Sequence, residues 1–156
     1  MLTHHRKPVD LSLISLDLPV CWSVVKTAAT LDQKDHEKFN LLLTEPPLKE
    51  QSTSVPDANN PRLLWLEISP YRVIMTGQAI GQLNYRHFWE QGVYGLSRYW
   101  LNTDVSQGYD QIRLRNFTRR LILVGRPLPQ RLRVEYELWS DKVQLGQYVL
   151  NLEIHQ

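Results

Sequence analysis

Apolar and polar residues alternate near the end of the chain. Every second residue of 132–139 is apolar, a repeat typical of a β-strand with one buried face. After a short polar turn the alternation resumes, but it changes phase at Gly146. A one-residue change of phase at a glycine is typical of a β-bulge. The pattern therefore predicts a hairpin over 131–154 whose second strand is bulged at Gly146.

Similar patterns predict strands in most of the chain. Two segments are compatible with either a helix or a strand. Residues 31–43 fit a helix, or a turn followed by a strand from Phe39. Residues 85–101 have apolar residues at helical spacing, and a short helix over 84–91 that ends at Gly92 is the preferred interpretation. We therefore predict a mainly β protein, an antiparallel β-sandwich or barrel with one or two short helices. The other predicted strands are 16–24, 63–69, 71–79 and 112–124.

The chain of 156 residues has the usual length of one domain, so we predict a single domain over 1–156. One segment interrupts it. Residues 44–62 contain four prolines, clustered serine and threonine, and two asparagines. Such a composition leaves little to bury, and it predicts a long flexible loop within the domain.

The charge of the chain is polarised although its net value is only +2. Residues 113–133 contain seven arginines and no acidic residue, so the remaining residues carry −5, the total less the +7 of this segment. In a strand, alternate residues of this segment share one face. Guanidinium groups bind carboxylates and phosphates through paired hydrogen bonds. The predicted partner-binding residues are Arg113, Arg115, Phe117, Arg119, Arg120, Arg131 and Arg133.

Aromatic residues are concentrated in 85–100, where they suit either an interface or a ligand pocket.

Our first hypothesis is a non-enzymatic interaction protein whose arginine face and aromatic patch bind an acidic partner, a protein in preference to nucleic acid. The alternative is a β-barrel that holds a small ligand or chromophore, as a carrier or a lyase-like chaperone. A solvated arginine face and a core packed with large rings are the simpler interpretations of the two features. The candidate aromatic residues are Tyr85, Phe88, Trp89, Tyr94, Tyr99 and Trp100.

No motif points to a reaction. The five histidines are dispersed, the single Cys21 lies in an apolar segment, and no phosphate-binding loop or metal-ligand spacing is present. We therefore predict no catalytic residue, no metal and no cofactor. The sequence also lacks a signal peptide and an apolar run that could cross a membrane, so we expect a cytoplasmic protein. Peripheral attachment to a membrane or a large complex stays open, as does the oligomeric state.

The closing segment 131–154, with its bias towards leucine and glutamine, resembles small cyanobacterial proteins of unknown activity. The resemblance covers about a sixth of the chain and contains no diagnostic motif. It implies no activity and transfers no site residues.

Overall fold

Ten antiparallel strands form a closed barrel. The computed structural model describes residues 4–16, 21–45, 62–79, 83–101 and 111–155. Each strand pairs with its neighbours in sequence, and β1 closes the barrel by pairing with β10. Closure leaves no free sheet edge among these strands. The strands are β1 His4–Ser15, β2 Cys21–Gln33, β3 Phe39–Glu45, β4 Arg62–Ile68, β5 Arg72–Gln78, β6 Leu83–Glu90, β7 Tyr94–Leu101, β8 Ile112–Val124, β9 Arg131–Ser140 and β10 Val143–Ile154.

The mainly β prediction is confirmed, and of its two architectures the barrel is the observed one. The predicted short helices are wrong for the described part of the chain, where every regular element is a strand. Residues 84–90 belong to β6 instead of a helix, Gln91 forms an isolated bridge to Thr118, and Gly92 has a φ of +75° in the turn that leads to β7. The apolar spacing of 85–101 is misleading because large side chains occupy both faces of β6 and β7. No helix among the described residues could cross a membrane.

Residues 31–43 were also compatible with either a helix or a strand, and here the interpretation as a turn followed by a strand is confirmed. Strand β2 extends to Gln33, a turn follows, and β3 begins at Phe39. The two ends of the predicted loop 44–62 belong to strands, because β3 includes Thr44 and Glu45 and β4 begins at Arg62. Residues 46–61 lie outside the described residues, as does 17–20 within the first predicted strand.

The predicted hairpin of β9 and β10 is confirmed, including its bulge. The register between the two strands shifts between Gln144 and Gly146. A side chain at Gly146 would meet the Tyr148 ring, because a Cβ built there lies 2.9 Å from the Tyr148 hydroxyl oxygen. Glycine at this position therefore lets the Tyr148 ring pack against the strand.

The inward side chains form one core that is aliphatic in one part and polar and aromatic in another. One part is aliphatic and contains Leu31, Leu66 and Leu132, which are almost fully buried. The other part contains buried polar and aromatic side chains on β6 to β10, including His87 and Tyr136. Apolar burial provides the main driving force for folding, so the polar part is the unusual one and calls for a separate explanation.

Candidate binding surfaces

The predicted arginines of β8 lie on the outer face of the barrel. Arg113, Arg115 and Arg119 are exposed, and Phe117 is half-buried on the same face. The register with β9 shifts immediately before Arg120, which is also exposed. Because of this bulge, two consecutive arginines face solvent where a regular strand would turn one of them inward.

Three of the predicted arginines have acidic partners on the same surface. Such exposed pairs contribute about 0–1 kcal/mol each, but they reduce the positive charge that the surface offers to another molecule. These arginines therefore contribute less to a binding surface than their number suggests. The pairs are Arg119–Glu137 at 3.7 Å, Arg131–Glu153 at 3.7 Å and Arg133–Glu135 at 3.2 Å.

A different set of arginines lies in direct register across three strands. Arg86 of β6 is opposite Arg98 of β7, which is opposite Arg113 of β8. Within the described ranges, none of the three has a carboxylate at ion-pair distance. Arg86 is held by a 3.1 Å hydrogen bond from its Nε to Thr76 Oγ1. We call Arg86, Arg98 and Arg113 the arginine ladder.

Sequence reasoning missed this ladder because its members lie in three strands. Arg86 and Arg98 fell in the segment predicted as partly helical, and only Arg113 was among the predicted binding residues. Strand register depends on turn geometry and on bulges, so the opposition of these residues is visible only in the folded barrel.

Aromatic rings flank the arginine ladder on the outer face. The guanidinium carbon of Arg115 lies 4.4 Å from the ring centroid of Tyr94. The Tyr94 ring contacts the Phe117 ring at a centroid distance of 4.9 Å. The Arg98 guanidinium carbon lies 5.8 Å from the Trp100 ring. These contacts hold flat guanidinium and aromatic surfaces side by side, an arrangement suited to protein interfaces.

The predicted aromatic patch is divided between the two faces of the barrel wall. Side chains alternate along a strand, so consecutive aromatic residues point in opposite directions. Only the outward residues lie on the same surface as the arginines. The outward residues are Phe88, Tyr94 and Trp100, and the inward ones are Tyr85, Trp89 and Tyr99.

Inside the barrel, His87 is the centre of a buried polar group. Its Nδ1 lies 2.8 Å from Ser97 Oγ, which also accepts a 2.8 Å hydrogen bond from Asn116 Nδ2. Burial lowers the pKa of His87 to about 3, so its imidazole is neutral at pH 7. In the tautomer in which the Ser97 hydroxyl donates to Nδ1, the imidazole proton lies on Nε2.

This serine–histidine pair lacks the properties of a catalytic nucleophile and base. Ser97 is completely buried, so a substrate carbonyl has no access to its Oγ. The lowered pKa of His87 also makes the imidazole a weak base at neutral pH. The group is thus better suited to positioning hydrogen-bond donors inside the barrel than to catalysis.

The same interior layer contains polar atoms that the protein itself does not satisfy. Four buried side-chain atoms have no hydrogen-bond partner among the described residues, and three of them belong to this layer: Asn116 Oδ1, Thr118 Oγ1 and Trp89 Nε1, the fourth being Asn84 Nδ2. Each unpaired buried group of this kind costs about 1–3 kcal/mol. The layer therefore has more hydrogen-bonding capacity than folding requires.

An acidic group with one histidine lies elsewhere, where β1 meets β10. His155 Nε2 is 2.7 Å from Asp10 Oδ2, and Glu153 is near both. Arg131 also contacts Glu153, which places a positive charge beside the group. All three side chains are partly or largely exposed. A surface hydrogen bond between His155 and Asp10 and the Arg131–Glu153 ion pair account for them.

Comparison with known proteins supports the fold only. No family model matches the chain, and no curated protein matches it either. The crystal structure of the ywiB protein from Bacillus subtilis is similar over 97% of this chain and 94% of that chain, with a TM-score of 0.57 and 13% sequence identity. The chain is thus a closed antiparallel β-barrel protein. The cyanobacterial resemblance of its closing segment stays a prediction.

Proposed function

We propose that the chain is a non-enzymatic interaction protein whose outer arginine surface binds an acidic segment of a partner protein. The arginine ladder carries this proposal. Three guanidinium groups in register, without carboxylates at ion-pair distance among the described residues, form a concentrated positive site. Arg115 and Tyr94 extend it along β7 and β8.

The ladder has an unfavourable energy in the free protein. Like charges directly opposite each other in a sheet are destabilising, and two such contacts occur here in succession. Carboxylates of a partner relieve this repulsion and form charge-assisted hydrogen bonds with the same groups. Repulsion among the three arginines thus lowers the stability of the free barrel slightly, and binding of a partner removes this repulsion.

The dimensions of the ladder favour a short acidic segment. Neighbouring strands lie about 4.8 Å apart, so the ladder spans about 10 Å. Alternate side chains of an extended peptide are about 7 Å apart, and two or three carboxylates therefore cover the ladder. Tyr94 and Trp100 at its sides provide the apolar contacts that lengthen the lifetime of a complex.

Acidic groups nearby favour a protein partner over nucleic acid. Glu90, which is paired with Arg72 at 3.2 Å, lies further along β6 than Arg86, and Glu135 and Glu137 lie on β9, the strand next to β8. A nucleic acid presents phosphates along a continuous path and would run over these carboxylates. A short protein segment contacts the ladder without reaching them.

Binding of two model polyanions tests the proposal. Labelled poly-L-glutamate and oligodeoxythymidylate are titrated with the protein at about 50 mM and about 300 mM salt, a range that changes charge screening strongly. We expect tighter binding of the glutamate polymer, with a steep loss at the higher salt. Tighter binding of the oligonucleotide would assign the surface to nucleic acid, and binding of neither polymer would overturn the proposal.

A further inference from the structure

Four tyrosines converge inside one part of the barrel. Tyr85 is opposite Tyr99 across β6 and β7, and Tyr136 is opposite Tyr148 across β9 and β10. The ring centroids are 6.3 Å apart in the first pair and 5.4 Å in the second. His87 lies between them, with its ring 5.5 Å from Tyr85 and 5.6 Å from Tyr136. We call this group of four tyrosines and His87 the tyrosine cup.

Two glycines let rings of the tyrosine cup lie against the barrel wall. A Cβ at Gly77 would lie 2.5 Å from Tyr85 Cζ, and one at Gly146 would lie 3.1 Å from Tyr148 Cζ. These two rings therefore cover the backbone of β5 and β10. Tyr85, Tyr99 and Tyr148 remain half-buried although they face inward, so the rim of the cup is accessible.

The base of the tyrosine cup has unused hydrogen-bonding capacity. Asn116 and Thr118 are completely buried, and Asn116 Oδ1 and Thr118 Oγ1 have no partner among the described residues. Trp89, stacked on His87 with the rings 5.0 Å apart, has an unpaired Nε1. Buried polar atoms are almost always satisfied in folded proteins. Three exceptions in one layer make this part of the interior polar, and the half-buried Tyr85, Tyr99 and Tyr148 around it are the groups that another molecule can reach.

The tyrosine cup contains no formal charge. Burial raises the pKa of Tyr99 to about 12 and that of Tyr136 well above 10, so both phenols are protonated. His87 is neutral as well, because burial lowers its pKa to about 3. A buried ion without an opposite charge is strongly disfavoured. The cup therefore discriminates against charged molecules.

We propose that the tyrosine cup binds an uncharged aromatic molecule that carries hydrogen-bond acceptor oxygens. Aromatic walls favour a flat ring through stacking or edge contacts. Phenol hydroxyls and the His87 Nε2–H donate to the acceptor oxygens. The carboxylate form of the same molecule is excluded, in contrast to the outer surface, whose arginines attract anions. This site is separate from the arginine ladder, because the two use opposite faces of the barrel wall.

Three probes of similar size separate the contributions of ring, oxygen and charge. Naphthalene, methyl 2-naphthoate and 2-naphthoate are titrated by calorimetry at neutral pH with the intact protein. We expect the ester to bind about tenfold more tightly than naphthalene or the carboxylate. Equal or tighter binding of 2-naphthoate that Tyr99→Phe weakens and Arg98→Gln/Arg113→Gln leaves unchanged would overturn the claim that the site excludes charge. Absence of binding by all three would overturn the site itself, without affecting the proposal for the outer surface.

Two matched variants locate the binding. Tyr99→Phe removes one hydroxyl from the tyrosine cup, and Tyr94→Phe removes one from the outer face of the same strand. We expect ester affinity to fall severalfold for Tyr99→Phe and to stay unchanged for Tyr94→Phe. Retention of affinity in Tyr99→Phe, or an equal loss in both variants, would contradict binding in the cup.

Discussion

Arg98 on β7 and Arg113 on β8 lie directly opposite each other on the outer face of the barrel. Arg86 lies on the other side of Arg98, so three positive charges cross three neighbouring strands. The fold brings these residues together although they lie far apart in sequence. A sheet that only had to be stable would gain from an acidic residue at one of these positions.

Removing one charge from the arginine ladder should stabilise the free protein. For Arg113→Gln we expect the free energy of unfolding to rise by a few tenths to about 1 kcal/mol, because repulsion from Arg98 is lost. Urea denaturation at low salt measures this change, which should shrink as salt is added. Arg133→Gln is the control, since it breaks the 3.2 Å pair with Glu135 and should leave stability unchanged or lower it. A loss of stability in Arg113→Gln would contradict repulsion within the ladder.

Gly77 should be intolerant of even a methyl group. A Cβ there lies 2.5 Å from Tyr85 Cζ, so Gly77→Ala displaces the ring or the strand and should cost about 1–3 kcal/mol. Denaturant unfolding of the single variant gives the cost. Adding Tyr85→Ala should recover part of it, because the clash is then removed. If the stability lost in the double variant equalled the sum of the losses in the two single variants, Gly77 and Tyr85 would not be in direct contact.

The stability of the barrel should depend on pH through His87. Its pKa is lowered from 6.5 to about 3 in the folded state, so the unfolded chain binds more protons between these values. The contribution of neutral His87 to the free energy of unfolding is complete above pH 6.5. As the pH falls towards 3, this free energy decreases by several kcal/mol in total. His87→Gln should flatten the slope of unfolding free energy against pH in this window, and the exposed His36→Gln should not. If His87→Gln left this slope unchanged, the pH dependence of stability would not come from the lowered pKa of His87.

The unpaired hydroxyl of Thr118 should contribute nothing to stability. Thr118→Val replaces it with a methyl group of similar shape and should leave the free energy of unfolding unchanged or raise it by up to about 3 kcal/mol, the cost of burying an unpaired hydroxyl. Ser97→Ala should instead lower it by about 1–3 kcal/mol, because its Oγ contacts both His87 and Asn116. Thermal or urea unfolding of both variants checks the contrast. An equal loss of stability in Thr118→Val and Ser97→Ala would show that the Thr118 hydroxyl has a hydrogen-bond partner.

Alternation predicted most of the strands, and it failed where both faces of a strand are apolar or aromatic. The β9–β10 hairpin was predictable because its inward and outward residues differ sharply in polarity. Strand β6 was not, because Trp89 faces inward while Phe88 faces outward, a pattern that a short sequence window cannot distinguish from a helix.

The candidate sites were predictable only in part. The arginines of 113–133 are evident in the sequence, but their neutralisation by Glu135, Glu137 and Glu153 depends on strand pairing. The buried His87–Ser97–Asn116 group joins three strands. No local pattern marks it, because register between strands is set by turns and bulges.

A comparison of two charge-matched variants tests the proposed outer surface most directly. Arg98→Gln/Arg113→Gln removes two ladder charges, and Arg131→Gln/Arg133→Gln removes two that are paired with glutamates. Both are titrated against a glutamate-rich peptide at low salt, after their folds are checked by circular dichroism. We expect the ladder variant to bind at least about tenfold more weakly than the wild type, and the other variant to stay within about twofold. Equal losses in the two variants would show that only net charge matters, and would contradict a binding site at the arginine ladder.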